Sequence, residues 1–148
     1  MSSWREIASP QAQADLDGLL AAAIDFAQQQ LASHGEFFPF AAAVRADGSA
    51  EMIHARPDTA DEHPPASQVI DACVTTLTHM RAELSATAIT ADVRVAGHDD
   101  AIQVELEHAD GHALTVVLPY VKRRRSRIDY APIRATAGRH RIWPPPDR

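Results

Sequence analysis

Residues 102–118, IQVELEHADGHALTVVL, read as two strands joined by a tight turn. Apolar and polar residues alternate before the Ala-Asp-Gly triplet, and an apolar series resumes after it. A three-residue loop at 109–111 pairs Leu106 with Leu114, whereas a two-residue loop would scatter the apolar face. The sequence therefore predicts an antiparallel hairpin in the register that matches the two apolar faces.

Two histidines flank this loop, and the predicted register places His108 opposite His112 with Cβ atoms about 5 Å apart. Two imidazoles at that separation can share a metal ion, but stable sites use three or four ligands. The alternative is a pair of surface or rim histidines. A second Ala-Asp-Gly triplet at residues 46–48 has no flanking histidines, so the triplet is interpreted as a turn used twice. The metal site at His108 and His112 is the less favoured interpretation, and no cofactor is expected.

Two amphipathic helices are predicted before this hairpin. Apolar residues at helical spacing, with a Ser-Pro start and Gly35 as a stop, predict a helix over residues 10–33. A second apolar stripe predicts a helix over residues 67–85. Because several threonines in the second helix are poor helix formers, packing must hold that helix. Its only cysteine, Cys73, falls on the apolar stripe and is expected to be buried.

Strand patterns account for most of the remaining chain. An Asp-Gly turn predicts a first hairpin over 40–54, an acidic proline-rich loop follows at 56–65, and residues 89–95 alternate as a strand. The element order α-β-β-α-β-β-β predicts an α+β fold: a curved antiparallel sheet of about five strands, with two helices packed on one face and an ordered basic C-terminal segment. Residues 1–143 are expected to form one domain, and 144–148 a proline-rich tip.

Catalytic and membrane motifs are missing from the sequence. It contains no HExxH, GxSxG, CxxC, P-loop or GxGxxG pattern, so the enzymatic interpretation has no specific support. A turn at 97–100 carries His98, Asp99 and Asp100, which could bind a divalent ion but more often form a solvated turn. No apolar run approaches the ~18 residues of a membrane span, and the first residues do not resemble a signal peptide. A cytoplasmic protein is expected.

Charge is distributed very unevenly along the chain. Residues 1–119 contain 18 acidic and 5 basic residues, a net charge of −13, whereas residues 120–148 contain 2 acidic and 9 basic residues, a net charge of +7. Five cations lie within six positions, and they form a candidate basic interaction patch: Lys122, Arg123, Arg124, Arg125 and Arg127. Such an asymmetry points to a binding partner.

Three kinds of partner suit this charge distribution. The C-terminal segment can dock on its own acidic body or on a neighbouring subunit, or it can bind nucleic acid with Tyr120 and Tyr130 stacking on bases. Alternatively, the acidic surface of the chain can bind another protein, for example a basic one. Nucleic acid is the least favoured, because the acidic body would repel a polyanion. The function predicted is a non-enzymatic protein-binding or self-associating protein, plausibly a homodimer. A metal-binding protein or enzyme using His108 and His112 is the alternative, and a nucleic-acid-binding protein is the second alternative.

Overall fold

The computed structural model describes residues 4–94 and 100–145. The helices are α1 (Trp4–Ile7), α2 (Pro10–His34) and α3 (Ala66–Met80), with short 3-10 turns at Arg81–Glu83 and Arg124–Ser126. The strands are β1 (Phe40–Arg45), β2 (Ala50–Ile53), β3 (Leu84–Arg94), β4 (Asp100–His108), β5 (Ala113–Lys122), β6 (Ile128–Tyr130) and β7 (Arg134–Ala137). None of the helices in these two ranges combines the length and the hydropathy that a membrane span requires.

All strands belong to one curved, open antiparallel sheet. Its order is β2-β1-β3-β4-β5-β6, and β7 pairs with another part of β5. The α+β class, the element order and the antiparallel sheet are therefore confirmed. The sheet has seven strands instead of about five, because the C-terminal segment contributes β6 and β7.

Both predicted Ala-Asp-Gly turns form three-residue hairpin loops. Leu106 pairs with Leu114 in the second hairpin, as the apolar faces predict, and Val44 pairs with Ala50 in the first. The glycines of the two turns have φ values of 91° at Gly48 and 108° at Gly111, a conformation that side chains disfavour. Turn chemistry and matching apolar faces fix the register of both hairpins.

Helix α2 begins and ends where its capping residues predict. The Ser9 side chain accepts a hydrogen bond from the Ala12 N–H, and Pro10 occupies the first helical turn. Gly35, at φ 75°, ends the helix and donates its N–H to the Leu31 carbonyl. The stripe from Leu16 to Leu31 is buried against the sheet.

Helix α3 and α2 lie on opposite faces of the sheet, which corrects the expectation that both pack on one face. Along β1, Ala42 and Val44 belong to the core beneath α2, whereas Ala41 and Ala43 belong to the core beneath α3. Successive side chains of a strand point to opposite faces. Because β1 and the middle of β3 are buried on both sides, each face requires its own cover.

The second helix is shorter than its apolar pattern predicts. It ends at Met80, and after one 3-10 turn the chain enters β3 at Leu84, within the region predicted as helix. Residues 84–88 pair with β1 instead, for example Thr87 with Ala43. Pairing with a strand distant in sequence therefore overrides the local helical pattern. The predicted turn at 97–100 lies mostly outside the described residues, as does the tip beyond residue 145.

The C-terminal segment is ordered and packs on its own chain. Residues 139–143 cross the face that carries α3, and Ile142, only 2% exposed, joins the core that contains Cys73 and Leu77. The Arg81 guanidinium donates to the Ile142 carbonyl at 2.9 Å. Part of the basic segment is thus a structural component of the second core.

Candidate functional site

The two histidines of the β4–β5 turn lie in different surroundings. His108 is buried at 9% exposure, and its Nε2 lies 2.9 Å from Oδ2 of Asp15 in α2. Its Nδ1 lies 2.7 Å from Oδ1 of Asp110 in the turn. His112 is partly buried, and its Nε2 lies 3.7 Å from the same Asp110 oxygen. We call these four residues the histidine site.

The histidine site fastens α2 to the β4–β5 turn. Asp15 is itself buried and also accepts a hydrogen bond from Gln11 at 2.8 Å. Buried charged or polar side chains are stable only when paired, and here the imidazole and carboxylate satisfy each other. A contact between residues 93 positions apart ties the first turns of the helix to the sheet.

Metal binding at His108 and His112 has less geometric support than this structural role. Both ring nitrogens of His108 already face a carboxylate, so a metal would have to displace Asp15 or Asp110. In residues 4–94 and 100–145, no group of three or more His, Cys, Asp or Glu side chains is placed to hold a metal. The metal pair stays a prediction that requires a local rearrangement.

The basic run forms the tip of the β5–β6 hairpin. Residues 123–127 make the loop, which the Arg123 N–H closes by donating to the Arg127 carbonyl at 2.7 Å. Arg125 adopts φ 61° and ψ 42°, a left-handed conformation that a side chain disfavours. Within the described residues it is the one non-glycine residue with positive φ. We call residues 122–127 the arginine hairpin.

Only part of the hairpin charge is neutralised locally. Asp129 accepts hydrogen bonds from Arg123 at 3.0 Å and from Arg127 at 3.2 and 3.3 Å. These hydrogen bonds, that of Arg127 foremost, lower the pKa of Asp129 and keep it charged. Arg124 and Arg125 are exposed and make no ion pair with any acidic residue that the structure describes. Two cations at the tip are therefore free to meet a partner.

A cleft of about 380 Å³ separates the arginine hairpin from the end of α2. Lys122, Arg123 and Arg127 line one side, and the chain around His34 and Gly35 lines the other. The last carbonyl groups of a helix carry partial negative charge, so the hairpin cations near α2 gain some complementary charge. Arg124 and Arg125, at the tip of the hairpin, do not line this cleft.

A tyrosine-carboxylate pair lies at the same end of the sheet. The Tyr120 hydroxyl donates to Asp92 Oδ1 at 2.6 Å, and Tyr120 is 2% exposed. Burial raises the pKa of Asp92 above its usual 3.8, opposed by the Tyr120 hydrogen bond, and nearby Asp100 raises it further. Burial likewise raises the pKa of Tyr120, together with the hydrogen bond to Asp92. A buried Tyr120 cannot stack on a nucleic-acid base, whereas Tyr130 is 36% exposed.

The far end of the basic segment is held by two glutamates of β4. The carboxylate of Glu107, 5% exposed, accepts hydrogen bonds from the backbone N–H groups of Arg141, Ile142 and Trp143 at 2.6–3.1 Å. Glu105 lies 3.4 Å from Arg141 and 3.7 Å from Arg139. We call this arrangement the tail clamp. It supports docking of residues 139–143 on their own chain, while the arginine hairpin stays outside it.

Three of these residues were not singled out by sequence patterns. Asp15 directly precedes Leu16 at the edge of the apolar stripe of α2, which was the available signal for a buried acid. Glu107 and Asp92 alternate regularly with apolar residues and look like solvent-facing positions. Their burial depends on a chain segment that comes much later in the sequence: residues 141–143 for Glu107 and Tyr120 for Asp92.

Comparisons of the chain with protein-family models, with curated proteins and with solved structures find no match. Any functional assignment therefore rests on the geometry and charge of the residues of this chain.

Proposed function

We propose that this protein is a non-enzymatic binding protein that recognises an acidic protein surface through the arginine hairpin. The observation that carries the proposal is that Arg124 and Arg125 project at the tip without an acidic partner among the described residues, although the body of the chain is strongly acidic. Complementary charge steers partners together and selects among them.

The backbone of the tip supports a binding role. Arg125 holds a left-handed conformation in which glycine would be less strained, and such strain is concentrated at functional positions in proteins. Arginine presents a planar fork of donors that binds carboxylates in a bidentate manner. A turn that displays several arginines therefore suits recognition of carboxylates.

A protein partner is favoured over nucleic acid because of the charge around the hairpin. Burial raises the pKa of Asp92, nearby Asp100 and Glu36 raise it further, and Lys122 lowers it, so these acids stand near Lys122 at the base of the arginine hairpin. A long polyanion would be repelled by them, whereas a local acidic patch on a protein can contact the tip alone. The surface of a second copy of the chain is one acidic patch of this kind.

The proposal is tested with a fluorescent probe peptide of about ten residues in which Glu and Val alternate. At low salt, wild type should bind the probe, and the Arg124→Glu/Arg125→Glu variant should bind it at least about tenfold more weakly. A charge-matched control, Arg56→Glu/Arg94→Glu, changes two exposed arginines outside the hairpin and should have a smaller effect.

Two results would contradict the proposal. Absence of probe binding to folded wild-type protein at low salt would remove the acidic-ligand assignment. Tighter binding of a single-stranded oligonucleotide of equal charge would favour the nucleic-acid alternative. Sedimentation of the protein alone, at low and high salt, determines whether a second copy can serve as the partner.

A further inference from the structure

The sheet has an open edge that continues from the arginine hairpin. Strands β6 and β7 both run antiparallel to β5 and pair with its two ends. Among the described residues, no strand pairs with the outer side of β7, and all four of its residues are exposed. An unpaired strand edge presents free N–H and C=O groups to any extended chain.

The register of β7 shows which backbone groups are free. The Gly138 N–H donates to the Ala113 carbonyl at 3.0 Å, so residue 138 faces β5. The N–H and C=O groups of successive residues in an antiparallel strand point alternately to one neighbouring strand and to the other, so the backbone groups of Arg134 and Thr136 also point to β5. The N–H and C=O groups of Ala135 and Ala137 therefore point away from the sheet.

Strand β7 is held in place at its C-terminal end. A Cβ atom at Gly138 would lie 2.6 Å from backbone atoms of Leu114, so only glycine permits this close approach to β5. A few residues later the tail clamp fixes the backbone at Ile142. An edge that is already ordered loses little conformational entropy when another strand is added.

The two faces beside this edge differ in chemistry. On the α2 side, a groove of about 180 Å³ is lined mostly by apolar residues, including Leu20, Leu114 and Ile133, together with the ion pair of Arg5 and Asp17. Ile133 is 49% exposed there. Arg134 contributes to the lining of this groove, but its Cβ lies on the opposite face of the sheet, because Arg134 pairs with Val117 of β5. A strand with alternating apolar and acidic residues would match both faces.

Resting on the proposed function, we propose that β7 binds an extended acidic segment of the partner protein as an added antiparallel strand. The main chain of the partner segment forms hydrogen bonds with the backbone of Ala135 and Ala137. The apolar side chains of the segment enter the groove, and its carboxylates lie on the side of Arg134. Residues 131–141 contain no acidic residue that could meet Arg134 of a second copy, so a partner segment of opposite charge is favoured over pairing of two β7 edges.

The variant test separates main-chain pairing from charge. Ala135→Pro removes one outward N–H at a position where an edge strand tolerates proline, whereas the control Ala135→Val keeps the N–H. The Glu-Val probe should bind Ala135→Pro about tenfold more weakly than wild type and should bind Ala135→Val with little change.

A second test leaves the protein unchanged. In an antiparallel pair, the probe residue opposite Ala135 shares its face and exchanges hydrogen bonds with it, so the valine N–H groups of the probe face β7. N-methylation of the valines should abolish binding, and N-methylation of the glutamates should preserve it.

The outcomes distinguish the two proposals. Strand addition is overturned if both methylated probes bind wild type as tightly as the unmodified probe, and if Ala135→Pro binds the unmodified probe as tightly as Ala135→Val does. If Arg124→Glu/Arg125→Glu still binds the probe weakly in that case, recognition by the arginine hairpin stands. If the unmodified probe does not bind folded wild-type protein, recognition of an acidic partner fails, and strand addition fails with it.

Discussion

At the scale of single residues, Thr90 is a polar group inside the core beneath α2. It is fully buried, and its hydroxyl has no hydrogen-bond partner among the described residues. An unsatisfied buried hydroxyl destabilises a fold, whereas an apolar group of the same shape does not. Thr90 pairs with Val104, so its surroundings already suit a valine.

We expect Thr90→Val to raise the free energy of unfolding by about 1 kcal/mol. The control Thr90→Ser keeps the hydroxyl and removes the methyl group, so it should lower stability. Urea unfolding of the three proteins measures the difference. A destabilised Thr90→Val would show that the hydroxyl is satisfied in solution.

Asp92 is a residue whose effect on stability depends on pH. Because its pKa is raised in the folded protein, protonated Asp92 contributes stability that is fully present below its usual pKa of 3.8 and is lost as pH rises through the raised value. Asp92→Asn removes this titration. The variant should therefore gain stability relative to wild type as pH rises from about 3.5 to about 7.

Urea unfolding across this pH range tests the prediction for Asp92, and a difference that does not vary with pH would contradict it. Tyr120→Phe gives an independent check. The Tyr120 hydrogen bond lowers the pKa of Asp92, so its removal should move the carboxyl titration, followed by NMR, to higher pH.

Cys73 is expected to be chemically inert in the folded protein. It is 1% exposed, and burial raises the pKa of its thiol to about 11, so little thiolate forms at neutral pH. A thiol-specific reagent should react with it only after denaturation. Rapid modification of native protein would contradict the burial predicted from its position on the helix stripe.

At the scale of elements, the C-terminal segment depends on one carboxylate. Glu107 holds three consecutive backbone N–H groups, and Ile142 is buried behind them. A buried carboxylate with several backbone donors forms strong hydrogen bonds. The tail clamp therefore anchors residues 139–143, which belong to no helix or strand.

Glu107→Gln should weaken the tail clamp, because the amide loses the charge and presents N–H groups to other N–H groups. We expect a loss of about 1–3 kcal/mol in unfolding free energy. The amides of 141–143 should exchange faster in hydrogen-exchange experiments. Glu105→Gln, which removes only partly exposed ion pairs, is the matched control and should have a smaller effect.

Element boundaries show where local patterns are sufficient. The limits of α2 and both hairpin registers follow from neighbouring residues: a capping serine, a left-handed glycine and alternating apolar positions. The end of α3 does not follow from neighbouring residues, because the apolar pattern of residues 84–88 suits a helix as well as a strand. Pairing with β1, some 40 residues earlier in the chain, makes this region a strand.

At the scale of the whole molecule, one sheet separates two cores. The core beneath α2 contains Ile102 and Leu118, and the core beneath α3 contains Ile89, Cys73 and Leu77. Side chains on opposite faces of a sheet share no contacts. Changes on the two faces should therefore contribute independently to stability.

We expect Ile89→Val and Ile102→Val each to cost about 0.5–1.5 kcal/mol. The costs should add to within about 0.5 kcal/mol in the double variant. Ile102→Val combined with Leu118→Ala, a directly paired couple on one face, is the contrasting case and should deviate from additivity. Urea unfolding supplies all the values. Strong coupling between Ile89 and Ile102 would contradict the two-core architecture.

The placement of the basic C-terminal residues also becomes clear only in the whole fold. In the sequence, the basic residues form one C-terminal block, but the fold separates those of the tail clamp from those of the arginine hairpin, with Arg134 on β7 between them. Arg139 and Arg141 meet Glu105 on their own chain, whereas the arginine hairpin extends beyond the sheet. Docking on the same chain and binding to a partner are therefore compatible roles of different parts of one segment.

By itself, the sequence determined the α+β class, the element order, the extent of α2, both hairpin turns and the register of the β4–β5 hairpin. These features depend on turn geometry and on the alternation of apolar residues, which act between neighbours. Only the tertiary structure decided that the helices cover opposite faces, that α3 gives way to β3, and that Asp15 meets His108. Each of these joins residues far apart in the chain, and the free energy of burying a face or pairing a buried charge exceeds local conformational preferences.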